Sequence, residues 1–128
     1  MNEPFDAVLS GEYVYMRLAG SVDADSLPRL KEQVAAAKAL VKQESERRGA
    51  QVPVAFDISD FTGAYAVEAM LEMKSLEEHN RPYTSRTAVF GGSAAAQVAA
   101  ELTLALIHRD SLKLFATKEE ALAWLSEK

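Results

Sequence analysis

With 128 residues, 48% of them hydrophobic and 26% charged, the chain suits one soluble globular domain, 1–128, with its own core. A net charge of −5 with scattered basic groups argues against a nucleic-acid binder, which needs a basic surface to release phosphate counterions. There is no cysteine, so disulfide and thiolate chemistry are excluded, a composition that suits a reducing cytoplasm.

The opening MNEPFDAVLSGEY is acidic and lacks the basic start and long apolar stretch of a signal peptide. Residues 5–10 and 13–19 read as two strands of a hairpin around Ser10-Gly11-Glu12. In the second, Val14, Met16 and Leu18 alternate with Tyr13, Tyr15 and Arg17, so the two sets face opposite ways.

A long helix is expected from Asp25–Ser26, with Ser26 as N-cap and Pro28 tolerated in its first turn. Leu27, Leu30, Val34, Ala37 and Val41 form its apolar stripe, and Gly49 is the stop signal. Arg47 and Arg48 close this helix, where cations complement the helix dipole.

VPVAFDI, 52–58, is apolar until Asp57, the pattern of a central strand covered on both faces. A second helix is expected over about 64–79, with Val67, Met70, Leu71 and Lys74 along one face and Arg81-Pro82 ending it. TAVFGG, 87–92, is another buried strand, and Ser93 caps a third helix over 94–108. That helix is apolar nearly all round apart from Gln97, Glu101 and His108, so it should be covered on more than one side. Its alanines facing sheet and neighbour is one reading; a homodimer contact or the wall of an apolar pocket is the other. The apolar run is too short and too interrupted to cross a bilayer. SLKLFAT, 111–117, is the last strand, and Thr117 to Glu120 has capping-box spacing before EEALAWL, whose Trp124 is read as a core anchor.

The order is thus β-β-α-β-α-β-α-β-α, an α/β chain whose initial hairpin and later βα units imply a mixed sheet with a parallel portion.

The hairpin start, FDISDFTG, RTAVFGGSAAAQVAAELTLALI and above all LKLFATKEEALAWL resemble the SpoIIAA-like family of small stand-alone bacterial proteins. That family lies in the wider STAS group, whose best-known members are anti-anti-sigma factors. The resemblance runs from Val14 to Leu125. It implies a mixed sheet with helices mainly on one face, a regulatory role and a protein partner. The same group is similar to CRAL-TRIO lipid-carrier domains, which implies a second reading as carrier or sensor of a small apolar or lipid ligand.

In the anti-anti-sigma relatives the loop after the central strand ends in Asp-Ser, and a partner kinase phosphorylates that serine. Counting from Asp57 puts Tyr65-Ala66 at this place, and Ala66 accepts no phosphate. Ser59 and Thr62 are the nearest hydroxyls, and neither follows an aspartate. The loop therefore reads as a cap and binding-edge turn rather than a kinase-driven switch.

Asp57 ends its strand at the carboxyl edge of the sheet, where open α/β sheets bind ligands. Its alternative role is to accept backbone N–H groups of the following turn. Asp57 and Asp60 together are too few carboxylates for a metal site, so no metal and no cofactor are expected. Gly91, Gly92 and Ser93 fit neither GxGxxG nor GxxxxGK and read as turn glycines plus an N-cap. Both loops open at one sheet edge, so a small pocket lined by Tyr65, Thr62 and Ser93 is expected between them. The candidate ligand- or partner-binding set is Asp57, Asp60, Thr62, Tyr65, Gly91, Gly92 and Ser93. His79 and His108 sit near helix ends, and no HExxH, nucleophile elbow or catalytic cysteine is present, so no enzymatic activity is expected.

Overall fold

Phe5–Ser10 (β1) and Tyr13–Leu18 (β2) form the expected antiparallel hairpin, with Phe5 opposite Leu18 and Ser10 opposite Tyr13. The computed structural model describes residues 5–107 and 110–127, apart from the side chains of Ala64, Tyr65 and Leu106. Val52–Asp57 (β4), Thr84–Phe90 (β6) and Leu112–Phe115 (β7) continue the sheet in parallel, in the order β1-β2-β4-β6-β7. Mixed pairing follows from the connections: a two-residue turn can only reverse the chain, while each helix carries it back for a parallel strand.

Leu27–Arg48 (α1), Val67–Asn80 (α2) and Ala94–Ile107 (α3) cover one face of the sheet. Their core gathers Phe5, Met16, Leu30, Val34 and Val54, all 2% exposed or less. Each such side chain contributes about 1.5–3 kcal/mol by leaving water. Lys118–Ser126 (α4) covers the other face, where Trp124 and Ala121 pack on Ala55, Ala88 and Phe90. Trp124 meets Phe115 at 5.5 Å between ring centroids and carries the guanidinium of Arg86 over its face at 4.9 Å, so it is the anchor expected. The α/β class, the mixed sheet and the preference of the helices for one face are as the sequence predicts.

Four local expectations change. A second, two-stranded sheet pairs Gly20–Val22 (β3) with Phe61–Tyr65 (β5) in parallel, so FTGAY is a strand and α2 starts at Val67 rather than Ala64. Ser26 makes no side-chain cap. Asp23 does so instead, accepting from Ser26 N at 3.0 Å to close a 3₁₀ turn over Ala24–Ser26 that leads into α1. The buried stripe of α2 is Ala69, Met73, Leu76, Glu77 and Asn80, whereas Val67 and Leu71 are 68% and 53% exposed. Both stripes have helical spacing, and the one carrying two polar residues is the one the core takes. Gln97 of α3 is half-buried rather than simply part of a solvated stripe: its Nε2 donates to the carbonyls of Gly91 and Phe115.

Other expectations hold in detail. Gly49 ends α1 in the left-handed conformation, and its N–H reaches Glu46 O. Arg47 and Arg48 both pair with Glu44, and Arg48 Nη1 also donates to Glu12 O at 2.7 Å, tying the helix end to the β1–β2 turn. Thr117 Oγ1 accepts from Glu120 N at 3.3 Å and donates to Glu120 Oε1 at 3.0 Å, capping α4. His79 stands in the last turn of α2, its Nδ1 at 3.0 Å from Asn80 Oδ1; His108 lies outside the described residues.

Candidate functional site

At the carboxyl edge of the sheet, β2 and β4 run side by side, with Arg17 opposite Asp57. Asp57 turns one oxygen to the Tyr15 hydroxyl and the other to Ser59 N, at 2.8 Å. The second contact is the turn-acceptor role predicted for it. Partial burial works to raise the Asp57 carboxyl, but hydrogen bonds from Ser59 and Tyr15 and the charge of Arg17 outweigh it and hold it below its ordinary value. The Tyr15 phenol is pushed well up, first by burial and then by the carboxylate beside it. Lys118 of α4 stands 5.6 Å above the Tyr15 ring.

Asp60 accepts from Arg17, with Nε at 3.2 Å, and this bond raises the guanidinium further. Thr62 Oγ1 donates to Gly20 O at 3.1 Å and lies 2.9 Å from Ser21 Oγ, so it stitches β5 to β3. Ser93 Oγ accepts from Ala96 N at 3.2 Å, the N-cap predicted. Among the described residues no three His, Cys, Asp or Glu gather as a metal site.

The two loops do meet, as their shared sheet edge requires, but they close on each other. Ile58 N donates to Phe90 O at 3.0 Å. A Cβ on Gly91 would stand 2.3 Å from Ser59 Oγ, and one on Gly63 would stand 2.7 Å from the backbone carbon of Ala95. Both glycines have positive φ, +85° and +91°, so they permit the turn and the close approach together. Gly92 lies over Ile58 and Ala96. At Gly91 and Gly63 the two segments pack closely, beside the place where a pocket lined by Thr62, Tyr65 and Ser93 is expected; the side chain of Tyr65 lies outside the description.

A space also lies on the helix-covered face. A cavity of about 90 Å³ opens between the sheet and the helices α2 and α3, and neither Thr62 nor Ser93 lines it. Met16, Phe56, Phe61, Met73 and Leu104 are among its apolar walls. Its polar walls are Glu77, Asn80, Thr84, Thr87 and Thr103. Glu77, Asn80, Thr84 and Thr103 are each at least nine-tenths buried. Glu77 accepts from Arg81 Nη2 at 2.8 Å, and Thr103 Oγ1 donates to Ala99 O at 3.0 Å. The sequence does hold one signal for this site: Glu77 and Asn80 fall on the same helical stripe as Met73 and Leu76.

This is the architecture of a small mixed-sheet α/β domain with a helix-covered cavity on one face. A family model described as SpoIIAA-like matches residues 13–126, and the chain belongs to the SpoIIAA-like family. No curated protein matches it. Among solved structures it is similar to an uncharacterised Shewanella loihica protein of the DUF3478 family with a SpoIIAA-like fold. That likeness has a TM-score of 0.60 and 16% identity, over 94% of this chain and 91% of that one. It is also similar to the phosphorylated form of the Bacillus cell fate determinant SpoIIAA. There the TM-score is 0.56 at 15% identity, over 94% and 98% of the two chains. The unphosphorylated anti-sigma factor antagonist SpoIIAA gives a TM-score of 0.55 at 15% identity, over 97% and 99%. At these identities the neighbours speak for the fold.

Proposed function

We propose that this chain is a non-enzymatic, cytoplasmic regulatory domain that works by binding protein and lacks the phosphorylation switch of its best-known relatives. The observation that carries the reading is the outer surface of α2 and α3. Val67 and Leu71 on one helix, and Val98 and Leu102 on the next, are exposed apolar pairs at i,i+4 spacing, all more than half exposed. Exposed apolar side chains grouped on adjoining elements mark interaction surfaces in soluble domains. A second copy of the chain, docking through the 94–108 helix, is the first occupant expected. The likeness to an anti-sigma factor antagonist supports a protein partner in the same way.

Two features support a switch-free loop. Ala66 occupies the N-cap of α2 with extended backbone and no side-chain cap, at the position that counting from Asp57 gives for the serine of phosphorylatable relatives. Thr62, the nearest hydroxyl on β5, is engaged with Gly20 and Ser21. Asp57, Asp60, Gly91, Gly92 and Ser93 then serve as the rigid frame of a partner-binding edge.

Sedimentation velocity on the full chain tests the interaction reading. A dimer is expected for the native sequence and a monomer for the double variant Val98→Lys, Leu102→Lys. A native chain that stays monomeric at every concentration, with no reproducible partner in cross-linking from its host, overturns it.

The cavity carries a second reading, a carrier or sensor of a small apolar ligand. Protein interiors keep few voids larger than a water molecule, so a space of about 90 Å³ under two helices is a feature to be explained. Native mass spectrometry of freshly purified protein tests it; no co-purified or titratable small molecule makes it untenable.

A further inference from the structure

The cavity under α2 and α3 is walled almost wholly by hydrocarbon, and that composition says what it would hold. Met16 and Phe56 come from the sheet, Met73 and Leu76 from α2, and Leu104 and Ile107 from α3. The polar residues at its border spend hydrogen bonds on their own stretch of chain. Glu77 accepts from Arg81 Nη2 at 2.8 Å, Thr103 Oγ1 donates to Ala99 O at 3.0 Å, and Asn80 Oδ1 lies 3.0 Å from His79 Nδ1. All three bonds stay within α2 and the residue that follows it, or within α3.

Resting on the carrier reading, we propose that the cavity binds a small nonpolar molecule with no polar head, a short hydrocarbon or a compound of that size, and not a lipid. Size sets the first limit. About 90 Å³ is the liquid volume of about three waters at ~30 Å³ each, room for a few carbons and not for a long acyl chain. Polarity sets the second. A hydroxyl or carboxylate head gives up its bonds to water on entry, and a polar group buried without compensation costs free energy. A carboxylate would also bring a second negative charge beside buried Glu77. A hydrocarbon gives up nothing, and it supplies dispersion contacts to walls that otherwise lack partner atoms on one side. Met16 on β2 and Met73 on α2 are unbranched and polarizable, so they fit these walls to molecules of slightly different shape. The site selects by smallness and by lack of polarity, with no hydrogen bond to read.

The experiment uses the full chain with ¹³C-methyl methionine. Met16 and Met73 line the cavity and Met70 does not, so the protein carries two reporters and a control. The probes are xenon, n-pentane, 1-butanol and decanoate: two without a head, one of similar bulk with a hydroxyl, and one long acyl chain. Saturable shifts at Met16 and Met73 with xenon and n-pentane are expected, with 1-butanol about tenfold weaker and decanoate without saturation. Ala100 stands on the cavity wall, so Ala100→Leu should abolish the n-pentane shifts and the smaller Ala100→Val should weaken them about threefold, while methyl dispersion reports retained folding. Binding of 1-butanol equal to that of n-pentane, or saturable shifts with decanoate, overturns the headless assignment and leaves the carrier reading standing. Shifts undiminished in both Ala100 variants place the binding outside this cavity and overturn the proposal. No saturable shift with any probe overturns the proposal and the carrier reading together.

Discussion

The seam at the carboxyl edge and the cavity under α2 and α3 are built from opposite materials and give opposite lessons. The seam is dense in polar residues, yet Asp57, Asp60, Thr62 and Ser93 each have a named partner in the turn, the neighbouring strand or the helix start. The cavity is mostly apolar, and its few polar groups are drawn from α2, β6 and α3, far apart in sequence. Polar density along a chain therefore marks good turns at least as often as sites. A site is marked by space that remains where segments far apart in sequence converge.

The largest effect should come from filling the seam. Gly63→Ala adds a Cβ within 3 Å of the backbone of Ala95 and Ala96 at a positive φ, and neither strand nor helix can step aside cheaply. A loss of about 3 kcal/mol or more is expected in urea unfolding. A loss below about 1 kcal/mol would mean that the two loops are not packed together in solution.

A matched pair of enlargements then compares the two faces of the sheet. Ala88, fully buried beneath α4, has no room, and Ala88→Val should cost about 1–3 kcal/mol through overpacking. Ala100 lines the cavity, so Ala100→Leu should cost nothing and gain up to about 1 kcal/mol by filling it. Equal losses at both positions would show that the cavity is not a space in solution.

The sequence carries the five strands of the main sheet because each is an apolar or alternating run bounded by turn residues, and it carries α1 because one stripe is apolar while the other faces are not. It does not carry β5. FTGAY has a glycine at its centre and no alternation, and its pairing with Gly20–Val22 lies some forty residues back in the chain. It misleads at α2, where Val67, Met70 and Leu71 look like the buried face and Glu77 and Asn80 look like surface. Within the candidate set, the roles of Asp57 and Ser93 were legible because each acts on its own neighbours, within two or three residues. The partners of Tyr15 and Arg17 were not, because they come from the register of β2 against β4. No pattern in one segment records the volume left between three of them.

Acidification separates the carboxylates at the two ends of the sheet. Asp57 has a lowered folded value, so its contribution is present above the ordinary 3.8 and is lost as pH falls through the lowered value. Glu44 at the end of α1 is held at about 2 by hydrogen bonds from Arg47 and Arg48, against an ordinary 4.5, so its contribution is lost between those values. Melting temperature should therefore fall below about pH 4.5. Asp57→Asn should lower it at neutral pH by an amount worth about 1 kcal/mol, moderated by solvent access, and flatten the acid limb. An acid limb of unchanged steepness in both Asp57→Asn and Glu44→Gln would assign the acid sensitivity to other carboxylates.

The smallest effect bears on the start of α2, where the seam borders the cavity's helix. Ala66 is at the N-cap with φ −69° and ψ 155°, the backbone a capping residue adopts, but it brings no oxygen to the orphan N–H groups of the first turn. Ala66→Ser supplies that oxygen without new bulk, and should raise stability by about 0.5–1 kcal/mol. The same variant places a hydroxyl where counting from Asp57 puts the serine that the family resemblance implies. The residue before it remains Tyr65, so a kinase that reads the aspartate should leave it unmodified. A gain in stability without phosphate transfer would separate the two uses of a serine at this helix start, capping and signalling; stoichiometric phosphorylation would show that the switch here lacks only its acceptor.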